Sequence, residues 1–351
     1  MIAPTVEPLI RIRGLRKAFP IMSGMLHRQK IGEVVAVNDV DLDIYPGEVI
    51  GCVGETGSGK STLGRLVLNL LRADAGEVHI EGIRIDNLST GRMKPYRRHM
   101  QMVFQDPLQA LNPRRTVAEN IALPMVNFGE PRRTIVERTA ELLDLVGLNP
   151  AHANRYPHEF SGGQCQRVGI ARALALNPRF LFLDEPVSAL DVSVQAQILN
   201  LLMDIREKLD LTYLFVTHDL KIVRHLADRI VVLYHGNLVE ASDTADLYES
   251  PMHPYTRALL DSILRIEQSN RWQQVVLRTQ DAEVASAAEA AGSGGCIYAG
   301  ICPERFEPCR TIVPSLQSHG GHRVACHLHD RSVSGAGAPN RTGSTEQPML
   351  S

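Results

Sequence analysis

The residues Gly54-Glu55-Thr56-Gly57-Ser58-Gly59-Lys60-Ser61 fit the pattern G-x-x-x-x-G-K-[ST], a spacing whose chemistry is phosphate capture. Glycines here let backbone N–H groups turn inward around phosphate oxygens, and a helix starting at the lysine adds partial positive charge. Lys60 is expected to reach the β- and γ-phosphates, Ser61 to ligate Mg²⁺ through its hydroxyl, and Thr62 to touch the α-phosphate. A chance glycine-rich loop would need neither the lysine and serine in register nor the flanking strand and helix. A second constellation ends the apolar run Phe180-Leu181-Phe182-Leu183 with Asp184 and Glu185. A buried strand of this kind delivers two acids to the carboxyl edge of a sheet, beside the phosphate loop. Asp184 fits coordination of Mg²⁺ through water, and Glu185 fits a general base for the attacking water. Two solvated acids at a strand end would explain that segment alone, but not its pairing with the upstream loop. ATP and Mg²⁺ are the cofactors implied.

Positioning such groups takes an α/β scaffold. Short β-like runs alternate with helical patterns over about residues 8–265, the signature of a largely parallel sheet. Residues 9–19, 34–44 and 78–83 read as strands of an antiparallel β subdomain beside it. Residues 48–53 lead as a strand into the glycine loop, and 60–71 continue as a helix. Residues 117–174 read as mostly helical, with a break at 149–163 rich in Pro, His and Gly. Residues 179–183 form a strand. Ile198, Leu201, Leu202, Ile205 and Leu209 then mark one face of a helix, and 212–217 and 229–234 supply two more strands.

Phe160-Ser161-Gly162-Gly163-Gln164, followed by Gln166-Arg167 and Ala171-Arg172-Ala173-Leu174, resembles the signature motif of ABC transporter ATPases. Phe160 departs from the commoner leucine, and Cys165 stands where a basic or polar residue is frequent. The resemblance covers roughly residues 8–265. It implies a P-loop NTPase fold: a RecA-like parallel-sheet core, an antiparallel β subdomain and a helical signature subdomain at about 106–174. It also implies that Ser161, Gly162, Gly163 and Gln164 act on ATP held by another subunit, so that one chain carries two half-sites. A serine hydroxyl and free N–H groups at a helix start suit an anion. By the same resemblance, Gln105 contacts Mg²⁺ and the attacking water and links to membrane subunits. His218 is the switch histidine on the γ-phosphate, and Asp191, in Ser188-Ala189-Leu190-Asp191, lies in the dimer-interface loop. Phe19 stacks on adenine, a contact made by ring faces.

Softer marks narrow the branch. The loop after Phe19 (residues 20–33), Leu111-Asn112-Pro113-Arg114 and His253-Pro254-Tyr255-Thr256 look like the ATPase subunits of bacterial dipeptide and oligopeptide importers, and the insertion between Phe19 and Ala36 looks more like the second of their paired ATPases. This implies ATP hydrolysis that energises uptake of peptides or related solutes such as nickel, glutathione or sugar derivatives. The implied partners are a second ABC ATPase subunit, two transmembrane permease subunits and a periplasmic solute-binding protein. The implied location is the cytoplasmic face of the bacterial inner membrane. A non-transport ABC machine acting on ribosomes or DNA is the rival, but such proteins carry two cassettes or a long coiled coil, and neither pattern is here.

The bulk numbers agree. The chain has 351 residues, 44% hydrophobic and 22% charged, with formal net charge −2, which gives no electrostatic reason to expect nucleic acid. No run of apolar residues is long enough to cross a membrane. Six cysteines sit unevenly: Cys52 and Cys165 are isolated, whereas Cys296, Cys302, Cys309 and Cys326 fall close together. Four thiols suit a [4Fe–4S] cluster or a four-cysteine zinc site, or stay unligated; the spacing lacks the paired C-x₂-C knuckles of structural zinc. The resemblance associates this extension with a [4Fe–4S] cluster. His322 and His327 flank the last cysteine. The expected organisation is a cassette at 1–265, an extension at 266–330 with a linker at 283–295, and a disordered tail at 331–351.

Overall fold

The computed structural model describes residues 7–23, 29–268 and 294–330. The linker expected at 283–295, but for its last two residues, and the tail at 331–351 lie outside the described residues. The chain divides into two units, Met1–Leu247 and Tyr248–Ser351.

In the first unit, β1 (Ile10–Ser23) and β2 (Gln29–Ile44) form a long antiparallel hairpin. Ile10, Ile12, Leu15, Val37, Val40, Leu42 and Ile44 are its buried apolar positions. Of the segment expected as a loop after Phe19, the described residues 20–23 and 29–33 are instead paired strand. Phe19 faces Val34, Pro20 faces Glu33 and Ile21 faces Gly32. β4 (Ala75–Ile80) pairs with β1 only as far as Arg16, so beyond that point β1 has a neighbour on one side, where a proline without an N–H is tolerated. β5 (Ile83–Arg84) completes the sheet in the order β2-β1-β4-β5.

The second sheet is built around β3 (Val49–Val53), buried along its whole length. Its order within this unit is β10-β9-β3-β8-β7-β6, with β6 at Met100–Val103, β7 at Phe180–Asp184, β8 at Thr212–Thr217, β9 at Arg229–Tyr234 and β10 at Asn237–Asp243. β6, β7, β8, β3 and β9 pair in parallel; only β9–β10 is antiparallel. A parallel sheet is covered on both faces, which is why β3 and most of β7 read as apolar runs. β6 and β10 carry polar residues and were not legible as strands. One consequence governs the site. Parallel strands present their carboxyl ends along one edge, so the residues after β3, β6, β7 and β8 meet there.

Helix α1 (Lys60–Val67) follows the glycine loop and is shorter than expected, because Leu68 ends it and Asn69 turns to φ 50°. α2 (Thr90–Arg97) precedes β6. The helical region holds α3 (Pro107–Ala110), α4 (Val117–Phe128), α5 (Arg132–Leu145) and α6 (Gly162–Leu174). Two 3₁₀ turns, Pro150–His152 and Pro157–Glu159, fill the expected break. A reciprocal cap between Thr116 and Glu119 starts α4, and Gly129 in the left-handed conformation ends it. On α7 (Val192–Leu209) the buried stripe is Ile198, Leu202 and Ile205. Leu209, expected on the same face, is 39% exposed at the helix end. α8 (Leu220–Leu226) and the start of α9 (Thr244–Glu249) complete this unit.

The second unit holds α10 (Pro254–Gln268), α11 (Pro308–Thr311) and the hairpin β11 (Gln317–His319) with β12 (His322–Val324). The division at Leu247/Tyr248 lies ahead of the composition change near residue 266. The residues around the start of α10 pack with the cysteine-bearing segment. The rings of His253 and Tyr255 lie 5.7 and 5.5 Å from that of Tyr298, and Arg257 pairs with Glu304 at 2.7 Å.

A candidate nucleotide site at the carboxyl edge of the sheet

The glycine loop turns as its composition requires. Gly54, Gly57 and Gly59 take φ of 150°, 86° and 101°. A Cβ on Gly54 would collide with the carbonyl oxygen of Leu233, and one on Gly59 with that of Ala36, so both positions exclude side chains by space as well as by torsion. Gly57 has open space around it, which leaves torsion as its reason. Lys60 is 5% exposed, and its ammonium donates to the carbonyls of Gly54 and Glu55, both at 2.7 Å, and to Ser58 Oγ at 3.5 Å. Burial lowers its pKa, against the pull of nearby acids.

Across the loop, Ser61 Oγ donates to Asp184 Oδ1 at 2.6 Å. Asp184 is 3% exposed; burial raises its pKa, while the Ser61 bond and Arg65, 3.6 Å away, oppose the rise. A hydroxyl and a carboxylate at this separation are the donor pair that a hard divalent cation takes. Arg65 was not singled out in the sequence, although it stands one helical turn after Ser61.

Glu185 continues past the end of β7 with φ 45°, a left-handed conformation that a non-glycine residue holds at a cost of about 1–3 kcal/mol. Its N–H donates to Val216 O at 3.0 Å, and both the N–H and the hydroxyl of Ser188 donate to its carbonyl, at 3.3 and 3.1 Å. The side chain is thereby aimed between two neighbours. Gln105 Nε2 donates to Glu185 Oε2 at 3.3 Å, and His218 Nδ1 lies 3.4 Å from the same oxygen. His218 follows β8 directly, and Gln105 follows β6 after Phe104.

One cleft gathers these groups. From the loop it is lined by Thr56, Gly57, Gly59, Lys60, Ser61 and Thr62, and from the other strand ends by Gln105, Glu185 and His218. Ala36, Ser188 and Ala189 complete it. No signal in the sequence marked Ala36. A pocket with backbone N–H groups, a lysine, a cation-ligand pair and a carboxylate flanked by an amide and an imidazole has the parts for positioning a phosphoryl group and a water.

Other expected site residues stand elsewhere. Phe19 is 38% exposed on β1, with Lys17 Nζ 5.6 Å from its ring centroid, and does not line the cleft. Ser161 caps α6: its hydroxyl accepts from Gln164 N at 3.3 Å, and Gln164 Oε1 accepts from Ser161 N at 3.0 Å. Neither these residues nor Gly162 and Gly163 line the cleft of their own chain. Asp191 caps α7 through its backbone carbonyl, which accepts from Val194 and Gln195 at 2.9 and 2.8 Å.

In the second unit Cys296, Cys302, Cys309 and Cys326 are free and line one pocket with His253 and His327. Burial raises the pKa of Cys296 to about 11 and of Cys326 to about 12, and the neighbouring thiols add to the rise. Among the described residues no group of three or more His, Cys, Asp or Glu is arranged around a single metal ion. Nor is any described helix long and apolar enough to cross a membrane.

Comparison with known proteins fits this geometry. The ABC transporter family model matches residues 37–188, and the model for the oligopeptide/dipeptide transporter C-terminal region matches 239–309. The chain is 44% identical over 334 residues to the oligopeptide transport ATP-binding protein AppF of Bacillus subtilis, covering 94% of this chain and 100% of that one. The glutathione import ATP-binding protein GsiA of Escherichia coli O157:H7 is 48% identical over 276 residues, covering 78% of this chain and 44% of that one. Among solved structures, the ATP-binding cassette MJ0796 in a post-hydrolysis dimer with ADP and phosphate superimposes with a TM-score of 0.60 at 31% identity, over 67% of this chain and 98% of that one. Identity of 44% along the whole length of the Bacillus protein, with a phosphate loop and acid pair at one sheet edge, makes this chain a member of the ABC transporter family, among its ATP-binding subunits.

Proposed function

We propose that the protein hydrolyses ATP to drive import of peptides, as one of two cassettes that close over nucleotide together. The convergence of Gln105 and His218 on one carboxylate oxygen of Glu185, in the cleft that Lys60 also lines, carries the reading. In it, Gly54, Glu55, Thr56, Gly57, Ser58, Gly59 and Thr62 cradle the phosphates and Lys60 neutralises β- and γ-charge. Ser61, Asp184 and Gln105 hold Mg²⁺. Glu185 accepts the proton of the attacking water, His218 bonds the γ-phosphate, and Phe19 stacks on adenine. Little covalent chemistry falls to the protein, so the rate comes from positioning and from fixed charge. Ser161, Gly162, Gly163 and Gln164 face the ATP of the partner cassette, with Asp191 at the seam, which accords with their distance from the cleft of their own chain.

Peptide as cargo rests on the similarity to AppF and on the match at 239–309. The partners on this reading are a second ABC ATPase subunit, two permease subunits and a periplasmic binding protein, with the chain peripheral on the cytoplasmic face of the inner membrane. A groove lined by Leu70, Phe104, Gln109, Pro124 and Phe128, beside Gln105, is where a permease segment would seat. Deleting the gene should abolish uptake of short peptides, restored by the wild-type chain and not by Lys60→Ala. Unchanged peptide uptake with loss of another solute would overturn the cargo.

The four thiols of the second unit fit a [4Fe–4S] cluster. They line one pocket, and burial raises the pKa of Cys296, Cys302 and Cys326, thiols whose ionised form needs a cationic centre beside it. His327 Nε2 bonds Ile312 O at 2.8 Å, while its buried Nδ1 has no partner among the described residues. A cluster there would cross-link the segment. Protein purified without oxygen should carry about four iron and four sulfide per chain; one zinc, or no metal, would sink the idea.

A further inference from the structure

The signature helix and the Gln105 segment are tied together at two points. Gln166, on the second turn of α6, is 1% exposed, and its Nε2 donates to Phe104 O at 3.5 Å. Phe104 O belongs to the peptide bond that leads into Gln105, so fixing that carbonyl fixes the plane from which the Gln105 side chain departs. Further along α6, Arg172 Nη1 donates to Ala110 O, at the other end of the same segment, and its guanidinium lies 5.9 Å from the Phe104 ring centroid. Burial lowers the Arg172 pKa, which marks a cation held away from water by this packing. Between the two anchors, Asp106 accepts from Leu108 N and Gln109 N at 2.9 and 3.1 Å and makes residues 106–110 one capped turn.

From these contacts we infer that Gln166 and Arg172 are positioning residues that make Ser161, at the start of α6, and Gln105 two ends of one rigid body. The inference rests on the proposed roles of Ser161 and Gln105 and adds a connection between them. Ser161 meets the partner's nucleotide, whereas Gln105 stands 3.3 Å from Glu185 at the chain's own nucleotide. Capture of ATP at one site then sets Gln105 at the other, and the two sites of a dimer work in step. Gln166 is suited to the task because a buried amide must find an acceptor, and the one it meets is the carbonyl before Gln105. Arg172 supplies a second hold that lysine would not replace, since the planar fork stacks on a ring and donates at once.

The test is a double-mutant cycle in the assembled transporter, read as kcat, KM and the Hill coefficient for ATP. Gln166→Leu and Arg172→Lys should each lower kcat by about 5- to 10-fold, the size of one lost hydrogen bond to a fixed group, with little change in KM. The Hill coefficient should fall towards one. In a Gln105→Ala background both substitutions should cost less than about twofold, because the group they position is gone. Thermal unfolding of each variant separates this from damage to the helical region, which would lower kcat equally in both backgrounds. Fully additive losses, or an unchanged Hill coefficient, would overturn the coupling while leaving the site reading intact. A Gln105→Ala variant as active as wild type would overturn both.

Discussion

Replacing Glu185 by Gln tests the centre of the site, because the change keeps shape and removes only charge and basicity. The side chain is 14% exposed and its Oε2 faces Gln105 and His218 at 3.3 and 3.4 Å. Glutamine fills the same volume and its amide oxygen still accepts from Gln105. The backbone at φ 45° is no harder for Gln than for Glu, so fold and cleft are preserved. What is lost, on the proposed reading, is the acceptor for the water's proton. A positioned general base is worth about 10²–10⁴ in rate, or roughly 3–5 kcal/mol at 1.36 kcal/mol per decade. ATP binding should hold or tighten, since one negative charge leaves the neighbourhood of a polyanion. Single-turnover hydrolysis gives the first quantity, a fluorescent nucleotide the second, and sedimentation of the ATP-loaded dimer shows whether the cassettes still close. A variant that hydrolyses ATP within about threefold of the wild-type rate would remove Glu185 from the mechanism, since a base is worth far more. A large loss of ATP affinity would instead mean that Glu185 holds the cleft together.

Three further outcomes follow from particular contacts. Ser161→Asp should keep the α6 cap, because aspartate caps as well as serine, yet, on the proposed reading, place a charge against the partner's γ-phosphate; unfolding temperature should stay put while ATP-driven dimerisation disappears in sedimentation. Gly64→Ala puts a methyl into the Phe182 ring between α1 and β7, an overpacking cost of about 1–3 kcal/mol, read as a fall of about 2–12 °C in unfolding temperature. His253 has its pKa pushed down to about 3 by burial, with Arg257 and His329 adding to the effect. The unfolded chain, at about 6.5, therefore binds the extra proton between these values, and stability is flat above about pH 6.5 and falls below it. Going from about pH 6.5 to about pH 5 should cost about 2 kcal/mol, visible as faster amide exchange over residues 294–330 after correction for intrinsic rates, and absent in His253→Gln.

What was legible in the sequence is what has a local cause. The phosphate loop could be read because its torsions demand glycine at fixed places, and β7 because a strand buried on both faces leaves no room for polar residues. β6 and β10 escaped because Met100-Gln101-Met102-Val103 and Asn237–Asp243 owe their pairing to neighbouring strands and not to their own composition. The hairpin beyond Phe19 escaped for a related reason: Pro20 and Gly32 argue for a loop locally, and only the register with β2 makes them strand. Gln166 could not be recognised as a buried donor, since its acceptor, Phe104 O, is a backbone atom 62 residues away.

The signature glycines show where residue identity alone misassigns a cause. The resemblance gives Gly162 and Gly163 one purpose, to act with Ser161 on ATP held by another subunit. In the fold they differ. A Cβ on Gly163 would run into Val194 Cγ1 on α7, so that glycine is required by the close approach of two helices within one chain. Gly162 is exposed, and a Cβ there would meet only Leu190 Cδ2 at 3.4 Å, ordinary contact. Space for an anion is thus Gly162's to provide, beside the exposed Ser161, while Gly163 seats α6 against the helix that Asp191 begins. The signature motif and the dimer-interface loop are therefore packed on each other before any partner arrives. On the proposed reading, a partner's nucleotide that engages Ser161 would push on α7, through Gly163 and Val194, as well as on the Gln105 segment, through Gln166, which would give one binding event two mechanical outlets in the same chain.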